Sequence, residues 1–205
     1  MIKVFNETKL IEIGDDFPKK ESKNPIFVEK RYELYTFLSE YFKIKNQPDV
    51  VIYGYNPKQL FKDFKNYFKF IHAAGGIVKN EKKQVLFIKR KGIWDLPKGK
   101  LENKEKPKRG AVREVKEETG VKKLKAGKKL VPTYHIFKRK RQYYLKKTDW
   151  YLMEASSKSK LVPEKREGIT KVAWLEKEKA ISAIGESHRS LKDSFLAYMN
   201  GSLEK

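Results

Sequence analysis

The sequence predicts an α/β chain, strands alternating with helices, preceded by a smaller α+β segment. Two observations carry this prediction. Stretches of period-two or β-branched character interleave with stretches whose apolar residues recur every three to four positions. A helix over 107–119 is bracketed by Pro107, which needs no amide donor at a first helical position, and by Gly120, a natural left-handed stop. A length of 205 residues accommodates one domain or two.

Residues 2–13 alternate around Asn6-Glu7-Thr8 and read as a β-hairpin. Residues 27–42 place Leu34, Phe37, Leu38, Tyr41 and Phe42 at helical spacing, and 49–53 read as a strand. Asn56-Pro57 starts a helix running to about Phe68, whose Leu60, Phe61, Phe64 and Phe68 form one stripe. Such a stripe belongs to a core or an interface. Residues 73–78 and 84–89 form a strand pair joined by Lys79-Asn80-Glu81-Lys82, and the 107–119 helix follows. Strands are expected over 130–137, 143–154 and 170–175, then helices over 177–184 and 187–199, broken at Gly185. There is no repeat or low-complexity tract.

Lysine and arginine number 48 against 26 acidic residues, a net charge of +22. This excess favours polyanionic partners, nucleic acid or a small polyphosphate, unless lysine merely coats solvated surfaces. No run of about 18 apolar residues and no charged-then-apolar leader is present, which predicts a cytoplasmic protein with no membrane partner. The chain has no cysteine, excluding disulfides and thiolate metal sites. His72, His135 and His188 show no mutual spacing suited to a metal or a catalytic triad. The oligomeric state is open, a homodimer included.

The strongest chemical signal lies on the 107–119 helix. Glu114, Glu117 and Glu118 stand at i, i+3 and i+4, so their carboxylates share one face with neighbours ~5–6 Å apart. Like charges at that spacing cost roughly 0.2–0.5 kcal/mol per pair unless something positive lies between them. A hard divalent cation such as magnesium suits that position, because it prefers carboxylate and phosphate oxygens. The competing reading is a solvated acidic face; Ala111, Val112 and Val115 give this helix an apolar side to bury.

Together with Gly99, Glu105, Arg113, Val115, Gly120 and Val121, these residues read Gly-x5-Glu-x7-Arg-Glu-Val-x-Glu-Glu-x-Gly-Val. The segment resembles the Nudix box, signature of the Nudix hydrolases, with every position filled. The seven positions fixed as Gly, Glu or Arg (Gly99, Glu105, Arg113, Glu114, Glu117, Glu118 and Gly120) arise together by chance with odds of roughly 1 in 10^8 or less at ordinary residue frequencies. The resemblance covers about residues 70–199 and implies a Nudix-type α/β/α sandwich with a mixed sheet. It divides the chain into a small α+β domain over 1–70, of unreadable role, and a hydrolase domain over 71–205.

It also implies metal-dependent cleavage of a diphosphate linkage. Glu114, Glu117 and Glu118 would ligate Mg2+, with Mn2+ as a substitute and the Gly99 carbonyl as a further ligand. Arg113 would orient the glutamates, and Glu105 would brace the loop. The preceding Trp94-Asp95-Leu96-Pro97-Lys98-Gly99 resembles the lead-in of Nudix enzymes acting on dinucleoside or diphosphoinositol polyphosphates. It would place Lys98 beside substrate phosphates, with Trp94 read as packing. The general base is sought in a loop beyond the box, where Glu167 fits the family's usual place better than Glu164; Glu114 is the remaining choice. Arg90 and the cationic-aromatic stretch containing Arg139 and Arg141 are further candidate phosphate contacts, the latter on a hairpin near the catalytic helix. The substrate expected is a small phosphorylated molecule: a dinucleoside polyphosphate, nucleoside triphosphate or inositol pyrophosphate. An RNA 5′-end pyrophosphohydrolase and a non-catalytic polyphosphate-binding regulator are the alternatives.

Overall fold

The computed structural model describes residues 1–14, 24–187 and 189–199. In chain order the elements begin β1 Ile2–Asn6, β2 Lys9–Ile13, β3 Pro25–Val28, α1 Arg31–Tyr41, β4 Val50–Gly54 and α2 Pro57–Asn66. Next come β5 Lys69–Lys79, β6 Val85–Arg90, β7 Ile93–Asp95, β8 Lys98–Lys100 and α3 Pro107–Thr119. The rest are β9 Lys125–Lys129, β10 Thr133–Arg139, β11 Gln142–Glu154, β12 Ile169–Leu175, α4 Lys177–Gly185 and α5 Arg189–Met199. A single 3-10 turn, Lys165–Glu167, precedes β12. Two compact units result: Met1–Ile71 with Tyr134–Lys146, and His72–Thr133 with Lys147–Lys205.

In the first unit, β1 and β2 form the expected hairpin, from Ile2 opposite Ile13 to Asn6 opposite Lys9. β10 adds to β1 in parallel, and β4 pairs in parallel with both β2 and β3. The helical pattern expected over 27–42 shortens at its front, because residues 25–28 are taken by the strand β3. Two contacts set this boundary: β4 pairs with residues 25–28, and the Glu33 carboxylate accepts hydrogen bonds from the backbone N–H of Glu29 at 2.8 Å and of Lys30 at 3.4 Å, fixing the start of α1. Asn56 caps α2, its side chain accepting from Gln59 N–H at 3.1 Å. Leu34, Leu38 and Tyr41 of α1 and Leu60 and Phe64 of α2 share one buried cluster with Val4, Ile11, Ile13, Ile52, Ile136 and Leu145 of the strands.

In the second unit, consecutive strand residues face opposite sides of the sheet, as a pleated strand requires. Ile77, Phe87 and Trp150 pack with Ala180, Ala183 and Ile184 of α4 and Leu191 and Phe195 of α5. Their neighbours Val78, Leu86 and Tyr151 pack with Ala111 and Val115 of α3. This is the α/β/α sandwich. Strands β7, β8 and β9 had no visible pattern. β9 reads Lys-Ala-Gly-Lys-Lys and exists through its pairing with β11, Tyr151 opposite Lys129; its lysines suit a sheet edge. Among the described residues no helix is long and apolar enough to cross a membrane.

Candidate functional site

β8 and α3 together build the site. β8 pairs antiparallel with β5, Ala74 opposite Gly99, which runs the Gly99 backbone directly past α3. A Cβ added at Gly99 would lie 1.8 Å from Glu114 Oε2, so only glycine lets the strand and this carboxylate share the space. α3 ends where Gly120 adopts a left-handed conformation, φ +75°, a position in which a side chain would also meet Val162. Gly99→Ala should therefore displace the Glu114 carboxylate and lower turnover at least ~10-fold, on the scale of a misplaced supporting group. The check is kcat alongside the thermal midpoint: a lost fold would lower both, a displaced carboxylate chiefly the first.

Arg113 is the hub of the acidic set. It forms a two-pronged contact with Glu105, Nε to Oε1 at 2.9 Å and a terminal nitrogen to Oε2 at 2.8 Å. Its other terminal nitrogen donates to Glu114 at 2.8 Å and to Glu117 at 2.9 Å. Glu105 also accepts from Glu102 N–H at 3.0 Å, tying the loop to the helix. The Arg113 contact holds the Glu105 carboxyl down at about 2, from an ordinary 4.5. A depressed carboxyl contributes stability that is present above its unfolded value and lost as pH falls through the folded one. The wild-type protein should therefore lose that increment between pH about 4.5 and about 2. Glu105→Gln should be less stable at neutral pH and flatter over that window, as read by urea midpoints at each pH. An unchanged difference between the two proteins from pH 7 down would refute the coupling.

On the inner side of α3, Glu118 is fully buried. One of its oxygens accepts from Arg90 and the other from the Lys98 backbone N–H at 2.9 Å. Burial pushes its carboxyl up to about 7 despite the pull of Arg90 and Lys98. Burial also raises Glu114. The same Arg90 nitrogen reaches Glu167 Oε2 at 3.0 Å, so one guanidinium joins a box glutamate to the loop glutamate. Glu164 instead turns its carboxylate to Arg166 N–H at 3.0 Å, capping the 3-10 turn. Lys98 directs its ammonium to Asp95, a partner that the sequence did not single out although it stands only three residues away.

Among the described residues no three acidic or histidine side chains converge as a ready cation cage. The glutamates are held by Arg113, by Arg90 and by a backbone N–H. Their chemistry nonetheless fits a hard divalent ion. All the donors are carboxylate oxygens, and Glu118 is a buried acid whose charged form burial penalises and a bound cation would favour.

Arg139 and Arg141 fall in the first unit, with the β10–β11 tip, whereas the box belongs to the second. His188 lies outside the described residues. His72 sits 2.5 Å from the buried Asp149, whose carboxylate is also met by Lys129 at 2.8 Å and Lys147 at 3.3 Å. Burial acts to raise the Asp149 carboxyl, and Lys129, His72 and Lys147 outweigh it and hold it below its usual range. No spacing signal pointed to this cluster, because His72 and Asp149 are 77 positions apart. Trp94 is part-buried and meets Phe87 edge-on, with ring centroids 6.5 Å apart.

Residues 69–195 match the family model of the NUDIX domain, more than half of the chain. The chain belongs to the Nudix family. Nudix hydrolase 8 of Arabidopsis thaliana is 48% identical over 56 residues, 24% of this chain and 15% of that protein. A putative 8-oxo-dGTP diphosphatase of Bacillus subtilis is 45% identical over 53 residues, 25% of this chain and 36% of that protein. The matches thus span well under half the length of these curated relatives. Among solved structures, a MutT protein from Methanosarcina mazei superposes with a TM-score of 0.51 at 23% identity, covering 66% of this chain and 96% of that one. The Nudix hydrolase RenU of M. smegmatis also gives 0.51, at 20% identity, covering 66% of this chain and 88% of that one. Both likenesses concern the fold of this Nudix chain.

Proposed function

We propose that this Nudix protein is a magnesium-dependent pyrophosphohydrolase cleaving a diphosphate linkage in a small polyphosphate, of the dinucleoside polyphosphate, nucleoside triphosphate or inositol pyrophosphate class. The observation that carries the reading is the complete acidic set on α3, with Glu114 against Gly99 and Glu118 joined through Arg90 to Glu167. A related sequence is named for acting on a nucleotide, in line with a phosphorylated substrate. Glu114, Glu117 and Glu118 would hold Mg2+, or Mn2+ in its place, with the Gly99 carbonyl as a further ligand. When bound, the ion supplies charge neutralisation at phosphate oxygens and a more acidic attacking water.

The chain's own residues divide the remaining work. Arg113 orients Glu114 and Glu117 through its hydrogen bonds. Glu167 takes a proton from the attacking water, while the new P–O bond forms at phosphorus and the bridging P–O bond to the leaving phosphate breaks. Lys98, a compact cation, and Arg90 steady the substrate's phosphate oxygens. In this reading the hydrolase domain lies within residues 71–205, and residues 1–70 belong to the small α+β unit, which Tyr134–Lys146 joins.

The test is a panel of dinucleoside polyphosphates, nucleoside triphosphates, inositol pyrophosphates and 5′-triphosphate RNA, each with and without Mg2+, with products resolved by chromatography. Turnover of the RNA alone would favour the 5′-end pyrophosphohydrolase, a reading aided by the cations of the β10–β11 tip. Tight binding with no turnover of any member would favour a non-catalytic regulator.

A further inference from the structure

We propose that the β10–β11 hairpin of the first unit is a binding surface for single-stranded nucleic acid, combining a cationic tip with an aromatic row on one sheet face. The hairpin portion in this unit, Tyr134–Lys146, carries Lys138, Arg139, Lys140, Arg141 and Lys146 and no acidic residue. Residues 138–141 are exposed, and none of them forms an ion pair among the described residues. The cations sit at one place and are not cancelled by carboxylates, as Arg113 is in the box and Arg90 is by Glu118 and Glu167. An extended polyanion is the partner such a place attracts.

The aromatic row decides which polyanion. Ile136 and Leu145 point to the core shared with α1 and α2. By strand alternation His135, Phe137 and Arg139 on β10, and Tyr144 and Lys146 on β11, point to the opposite face. There the Phe137 and Tyr144 rings lie 5.4 Å apart with planes only 12° from parallel, and His135 lies 6.1 Å from Phe137. All three rings are part-exposed. Stacked against each other on a pleated face and next to cations, Phe137 and Tyr144 provide outer π-surface for unpaired bases and charges for the linking phosphates. An inorganic polyphosphate would use the cations and leave the rings idle; a duplex hides its bases from them. Single-stranded RNA or DNA uses both. The inference concerns binding alone and stands apart from the proposed hydrolysis.

The experiment is fluorescence anisotropy of the full chain with a labelled single-stranded 12-nucleotide RNA, its DNA counterpart and the matching duplex, without Mg2+, across a salt series. Binding to the single strands should weaken at least ~10-fold in Arg139→Ala/Arg141→Ala. The slope of log K against log salt should flatten by about 1.4, two phosphate contacts at ~0.7 each. Phe137→Leu and Tyr144→Leu should each weaken binding roughly 5- to 150-fold while keeping the slope, since they remove stacking and no charge. Thermal midpoints identify any variant that fails to fold, and Phe137→Tyr, which keeps the ring, should restore binding. Glu117→Gln should bind undiminished, so failure of the hydrolytic reading leaves this one intact. RNA preferred over DNA, or the two bound equally, both support the surface. Equal affinity for duplex, or aromatic variants that bind like wild type, would reduce the hairpin to an indiscriminate cation cluster and overturn the proposal.

Discussion

Glu118→Gln and Glu117→Gln should each lose about three orders of magnitude in kcat. A metal-borne charge stabilisation of several kcal/mol, at about 1.4 kcal/mol per factor of ten, corresponds to roughly 10^3. The two variants should differ in their side effects. Glu117 is half-exposed, bonded to Arg113 at 2.9 Å, and its amide replacement should leave the melting point nearly unchanged. Glu118 is fully buried between Arg90 and the Lys98 N–H. Its amide still accepts a hydrogen bond but leaves the Arg90 guanidinium facing a neutral group, so stability should change as well as rate. Mg2+ binding, followed by calorimetry without substrate, should weaken in both. Undiminished turnover together with an unchanged Mg2+ titration would remove these residues from the proposed metal site.

Glu167→Gln should lower kcat by roughly 10^2–10^4, the usual contribution of a positioned general base, with a much smaller effect on KM. The reason is geometric. Glu167 shares the Arg90 guanidinium with Glu118, which keeps its carboxylate beside the acidic set at 3.0 Å from that cation while its side chain remains 48% exposed, open to an incoming water. Glu164 spends its carboxylate on the 3-10 turn, and Glu164→Gln keeps an acceptor there, so it should cost little. A larger loss in Glu164→Gln would reverse the assignment. Near-normal rates in both would move the base to Glu114. Arg90→Lys sharpens the comparison: one guanidinium nitrogen meets both carboxylates, and a lysine ammonium on its shorter stem would have to reach the same point, so the change should impair the Glu167-dependent rate without abolishing it.

How much of this was legible in the sequence depends on the range of the forces involved. α3 was legible to the residue. Its start at Pro107, its stop at Gly120 and its one-sided row of Glu114, Glu117 and Glu118 follow from contacts within one or two helical turns. The strands with apolar periodicity were legible for a similar reason, whereas the α/β/α layering was an implication of the resemblance to the Nudix box, and the two buried clusters on either side of the sheet bear it out.

Elements without such local marks were decided by the tertiary structure. β9 is polar and becomes a strand because β11 offers an edge. β3 detaches from the helical pattern because β4 pairs with it and Glu33 starts α1 later. Neither the burial of Glu118 nor its link through Arg90 to Glu167 could be read from spacing, since Arg90 lies 28 positions before one partner and 77 before the other. The same holds for His72 and Asp149, and for the grouping of the basic hairpin with the N-terminal strands. The sequence by itself determined which helix carries the acidic chemistry, because helical geometry translates spacing into a shared face. Only the tertiary structure decided which of those carboxylates is buried, which cation holds it and where the charged hairpin belongs, because burial and pairing depend on residues that only the folded chain brings together.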